Sequence, residues 1–285
     1  MRSLARWYAL RSWYRLSLDV RLFFTRNVSL ARSPGCDLFG IDCEREIWCE
    51  LVSFVQGNVQ EVVERIRRDF ELKKAAPRLR VYLLRRNGPW KSLPAPSNTK
   101  LSGLPTRCGG CWVQGTGGVF IFADNAERCR HVFVHEVAHA CLDTFPWRIP
   151  IPDSINEGYA MTLENIFFKE MPHRLNRLLR IYRAARQENT AFSVDQLCSI
   201  NLSHQSRSWP SEKLFRAQSF LLTQFLLDRP RVLGNGALPS IWRSKAYTSD
   251  GSAKLIAKVI RVTPEELEEE YTNYCCQASS AAEVA

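Results

Sequence analysis

The residues best suited to chemistry are His135-Glu136-Val137-Ala138-His139. On an α-helix, residues four apart project from one face with Cβ atoms about 5–6 Å apart. Two imidazoles at that spacing can share one Zn²⁺ through bonds of about 2.0–2.1 Å. Glu136, beside the first histidine, would reach the side where a zinc-activated water sits and could take its proton as general base. A helical histidine pair can also be a pair of polar core groups, so the metal reading needs a third ligand. Catalytic zinc usually takes three protein ligands plus water. Glu157 stands 18 positions after His139, in Pro152-Asp153-Ser154-Ile155-Asn156-Glu157-Gly158-Tyr159-Ala160. The same glutamate has a structural alternative: Ser154-x-x-Glu157 is a capping-box pattern, in which Glu157 would only satisfy backbone N–H groups. His131 lies four residues before His135. Each four-residue step turns about 40° around the helix axis, so three ligands from consecutive turns fit a tetrahedral ion poorly. His131 reads as a polar first-turn residue.

These side chains need two helices to position them. The first is expected over 126–143, capped by Asp124 or Asn125, with Glu127 in its first turn and Val132, Phe133, Val137, Ala138 and Ala140 making it apolar. Pro146, Pro150 and Pro152 mark a loop, after which a second helix over 154–169 would return antiparallel with Glu157 in its first turn. Upstream, Val59–Phe70 has helical spacing, Leu79–Leu84 reads as a strand, and 87–107 is a loop. Cys111–Phe122 reads as a hairpin turning at Gly115–Gly118, and a short strand or helix is expected around Ile47–Val55. Downstream, helices are expected over 173–187, 211–228, 238–245, 253–260 and 264–275. The last is signalled by Thr263 as N-cap, Pro264 in the first turn and Glu266 three residues on. The fold class is therefore α+β: a small N-terminal mixed α/β half with an edge hairpin, followed by an all-α half.

Composition sets the outer limits. The chain has 285 residues, 45% hydrophobic and 24% charged, as expected of a globular protein with a sizeable core. No stretch approaches the roughly 20 apolar residues of a membrane-spanning helix. The net charge is +10, of which +6 comes from the first 35 residues, where seven arginines face Asp19 alone. No basic stripe interleaved with aromatics follows, so nucleic-acid binding is not expected. The leader is read as a basic amphipathic helix, although its Arg-rich, acid-poor composition is also that of an organellar transit peptide. No secretory signal is evident, so the ten cysteines are expected to be reduced and the protein cytoplasmic. Cys129 and Cys141 are expected as small buried hydrophobes. Cys108-Gly-Gly-Cys111 is a C-x-x-C with no second half elsewhere, so it reads as two spare thiols rather than a structural zinc site. The run Glu265–Glu270 is a solvated helix face.

His-Glu-x-x-His followed by Asn156-Glu157-Gly158-Tyr159-Ala160 resembles the gluzincin metallopeptidases, and most closely their small, single-domain, peptidase-MA-like members. The resemblance covers about residues 50–275, flanked by the leader 1–49 and a tail 276–285, and its specific part is the motif core. It implies a zincin-like domain with His135, His139 and Glu157 as zinc ligands and Glu136 as general base. It further implies hydrolysis of a peptide or protein substrate that lies along the edge strand within Cys111–Phe122. The alternative is an inactive module of the same shape that binds peptides or proteins. Two departures bear on that choice. Where many members carry a tyrosine in a Tyr-Ala-Gln-Ser-like run, this chain has Arg216-Ala217-Gln218-Ser219, making Arg216 the candidate oxyanion donor. No Gly-x-Met-Glu-Asn-like run precedes the motif, so amino-terminal trimming is not implied.

Overall fold

The computed structural model describes residues 30–33, 39–44, 49–71, 79–85, 109–113, 118–123, 126–144, 151–168, 172–202, 210–228 and 252–284. The chain forms two compact units, one of Met1–Arg65 with Lys74–Phe145, the other of Ile66–Lys73 with Pro146–Ala285. The first 29 residues of the leader, the expected helix 238–245, the cap at Asp124 or Asn125 and Cys108 lie outside the described residues. The described residues are mostly helical with one small mixed sheet, an α+β arrangement.

The sheet belongs to the first unit. Its strands are β1 (Leu30–Ser33), β2 (Phe39–Glu44), β3 (Leu79–Arg85), β4 (Gly110–Val113) and β5 (Gly118–Ala123), in the order β1-β2-β3-β5-β4. β2, β3 and β5 run parallel, and β1 and β4 close the two ends antiparallel. In β3, Val81 to Leu84 are all buried, as are Val119 to Phe122 in β5. A strand buried on both faces must be apolar at every position rather than at alternate ones, which these two runs are. Tyr82 and Phe120 stack across them at 4.8 Å.

The part of the leader at Leu30–Ser33 is a strand, not the helix its arginines suggested. It pairs with β2, Leu30 opposite Glu44 and Ser33 opposite Ile41. A four-residue strand gains its hydrogen bonds from its partner, a tertiary term absent from local composition.

Helix α1 (Cys49–Asp69) starts ten residues before the expected Val59. The helix passes through Gly57 and Asn58 and takes in Cys49–Val55 of the stretch where a short strand or helix was expected, and the Asn58 side-chain amide donates to the Phe54 carbonyl at 2.7 Å. Val55, Val59, Val62 and Val63 form its buried stripe in the first unit. Helix α2 (Ala126–Thr144) packs on β4 and β5.

The second unit is helical: α3 (Asp153–Phe167), α4 (Pro172–Gln187), α5 (Val194–Ser199), α6 (Glu212–Asp228), α7 (Ser252–Ile260) and α8 (Pro264–Val284). α3 and α6 make the tightest pair, and Gly158 is the reason. A Cβ there would overlap the Ser219 carbonyl and the Thr223 hydroxyl, so only glycine lets the two backbones approach this closely. Gln218 fixes α6 along its length: its side chain accepts from the Phe192 N–H and donates to the Phe192 carbonyl, both at 2.8 Å. The Tyr271 hydroxyl on α8 donates to the Gln218 carbonyl at 3.1 Å. Tyr159 of α3, fully buried, stacks edge-on with Phe70 and donates to Asp69 at 2.8 Å.

α8 begins where expected, with the Thr263 hydroxyl accepting from the Glu266 N–H and the Glu266 carboxylate accepting from the Thr263 N–H. It runs nine residues past Cys275, to Val284, with the helix-favouring alanines Ala278, Ala281 and Ala282 among them.

Candidate metal centre

His135 and His139 lie on α2, one turn apart, His135 buried and His139 half-buried. Their Nε2 atoms are 3.0 Å apart and their rings nearly perpendicular, at 86°. Two nitrogens bound tetrahedrally to one zinc at about 2.0–2.1 Å would lie about 3.3 Å apart. The pair is within a few tenths of an ångström of that spacing. The same distance also suits a single N–H···N hydrogen bond between neutral imidazoles, so the pair alone does not define a metal site.

The local packing of α2 explains why the pair is held. Phe133, Val134, Val137, Ala138 and Ala140 are buried around it, and Phe133 packs edge-on against Phe54, whose ring carries the Arg130 guanidinium at 5.2 Å. Gly109 and Gly110 bring β4 against this helix, since a Cβ on either would strike the Val132 side chain. The C-x-x-C glycines therefore serve the strand-to-helix contact. Cys129 and Cys141 are buried, as expected. The Cys129 thiol donates to the Phe122 carbonyl at 3.6 Å, and burial pushes the Cys141 thiol far above its ordinary pKa. Glu136 is half-buried, next to His135.

Glu157 sits in the first turns of α3 and is buried. Its capping-box alternative is not formed. The helix begins at Asp153 with Pro152 as N-cap and no side-chain cap hydrogen bond, while Ser154 lies inside the helix and donates to the Cys198 sulfur at 3.9 Å. The Glu157 carboxylate instead meets Arg216 of α6, Nη1 to Oε2 at 3.2 Å. The same guanidinium donates through Nε to Glu212 Oε1 at 3.0 Å. Arg216, expected as an oxyanion donor, thus lies against two carboxylates. The Glu212–Arg216 spacing of four was open to reading as a helix pair. The Glu157–Arg216 pair was not, because it follows from the close approach of α3 and α6 at Gly158.

Among the described residues, one group of three His, Cys, Asp or Glu side chains brings its ligand atoms together: His135, His139 and Glu157, all within 4.8 Å of one another. Two imidazoles and a carboxylate form a donor set that could hold a divalent metal ion. His131, on the same helix, is half-buried and is not in the group. Among the described residues, no helix is long and apolar enough to cross a membrane. No protein-family model matches the chain, and no curated protein matches it.

Proposed function

We propose that this protein is a zinc-dependent metallopeptidase of the gluzincin type. The observation that carries the reading is the grouping of one ligand atom each from His135, His139 and Glu157. In this reading His135 and His139 present neutral imidazole nitrogens and Glu157 a carboxylate oxygen, filling three positions and leaving a fourth open. The bound ion would supply Lewis acidity, lowering the pKa of water toward about 7 and polarising a carbonyl. Glu136 takes the proton from the attacking water and passes it to the departing amine. β4 ends the described sheet next to α2, and a strand at a sheet end offers unpaired backbone groups to an extended peptide. That supports a peptide or protein as substrate.

A second reading is favoured by one contact: Arg216 already neutralises Glu157, which suits a gluzincin-like module that binds peptides without cleaving them. Hydrolysis of a diverse peptide library separates the two. The enzyme reading predicts cleavage that is lost on chelation, restored by zinc, and reduced at least about 100-fold by Glu136→Gln, the scale expected of a general base. Cleavage that survives Glu136→Gln would contradict it, and peptide binding without cleavage would establish the second reading.

A further inference from the structure

Helix α4 carries five arginines, at every third position from Arg174 to Arg186, with no lysine and no acid. Its core side is occupied by Leu178, Leu179, Tyr182 and Ala185, all buried. Arg177, Arg180 and Arg186 are exposed. Among the described residues, these three form no ion pair with an acid. Arg180 Nε donates to the Asn176 carbonyl of its own helix at 3.4 Å. Each three-residue step along a helix rises about 4.5 Å and turns back by about 60°. From Arg177 to Arg186 the charges therefore sweep about half-way round the helix over about 14 Å.

Positive charge of this kind attracts a polyanion, and the planar guanidinium fork matches phosphate oxygens in pairs. The sweep favours a grooved partner. A flat anionic membrane meets only one side of it. A helix lying in the major groove of B-form DNA, about 12 Å wide, has a row of phosphates on either side. The corresponding groove of duplex RNA is too narrow. Single strands are bound largely by stacking on aromatic side chains, and the one aromatic residue of α4, Tyr182, is buried. The phosphates of a duplex need no such partner.

We propose that α4 is a docking surface for double-stranded DNA, independent of base sequence, with Arg177, Arg180 and Arg186 contacting phosphates on both sides of the groove. This holds whether or not the chain binds a metal.

The test uses the full chain and a labelled random-sequence DNA duplex, with affinity measured by fluorescence anisotropy from about 50 to 200 mM salt. Wild type is compared with a triple variant, Arg177→Gln, Arg180→Gln and Arg186→Gln, with the double variant lacking the last change, and with the three arginines changed to lysine. The basic leader is present in all of them, so its share cancels in the comparison. Circular dichroism checks folding. Each phosphate contact adds about 0.9 to the slope of log affinity against log salt, so the triple variant should lose about 2.7 of that slope. Over a fourfold rise in salt, wild-type affinity should then fall about 40-fold further than that of the variant. The lysine variant should keep most of the slope. If the triple variant does not fold, the double variant decides, with an expected loss of about 1.8. Equal slopes in wild type and the glutamine variants, or no duplex bound by wild type at the lowest salt, would overturn the proposal. So would glutamine variants that lose binding to phosphatidylserine vesicles while keeping the wild-type slope on DNA, which would make the partner a membrane surface.

Discussion

Glu157 shows how one side chain can carry two readings of a sequence, of which its surroundings remove one. Ser154 and Glu157 carry the letters of a capping box, yet α3 starts one residue before Ser154 and the box is not made. The glutamate pairs with Arg216 and lies within ligand reach of His135 and His139. The spacing of the two histidines, the adjacent Glu136 and the Asn156-Glu157-Gly158 run were all readable from the chain. The bridge from Arg216 to Glu157 was not, because a salt bridge between helices depends on packing that no local pattern encodes. The buried thiols are a further residue-scale consequence. Burial pushes the Cys198 and Cys275 thiols up to about 12, from 9.0. As pH rises through 9 the unfolded chain loses these protons, while the folded chain keeps them until about 12. The stability they contribute is therefore complete below pH 9 and is lost progressively as pH rises from 9 toward 12. Urea unfolding at pH 8 and pH 10.5 should show a falling midpoint, with a shallower fall in Cys198→Ala. Equal falls in wild type and variant would contradict it.

At the scale of elements, glycine carries two opposite meanings in this chain. Gly57 lies inside α1 with nothing within 4 Å of where a Cβ would be. Gly158 lies where α3 meets α6, and a Cβ would overlap backbone. Gly57→Ala should therefore stabilise the protein by about 0.5–1 kcal/mol through helix propensity. Gly158→Ala should destabilise it by about 1–3 kcal/mol or more, as overpacking does. Chemical denaturation of the two variants checks both signs, and a neutral Gly158→Ala would mean that α3 and α6 are not in close contact. From sequence, a helix was expected from Val59 and a separate short strand or helix around Ile47–Val55, and the two are one helix running through Gly57. The valines at 55, 59, 62 and 63 outweigh it, because burying each side chain contributes about 1.5–3 kcal/mol against about 1 kcal/mol for one interior glycine. The short α5 was also missed, although Ser193 and Gln196 form a full capping box there and were legible as such. Long periodic helices and the two fully apolar strands were readable. β1 was obscured by the arginines around it, and β2 lies in a stretch for which no element was expected.

On the scale of the whole molecule, the division into a mixed α/β part and a helical part follows the change in the sequence after Phe122. The described chain carries one small sheet and then only helices. The net charge of +10 says less about function than its size suggests, because most of it lies in the first 35 residues. As proposed above, the folded chain would hold one metal ion through His135, His139 and Glu157. The most direct test is the zinc content per chain of the purified protein, by elemental analysis. About one zinc per chain is expected, lost in His135→Ala and retained in Glu136→Gln, since only the first removes a ligand. A folded protein that takes up no zinc even when it is supplied, or a zinc content indifferent to His135→Ala, would contradict it.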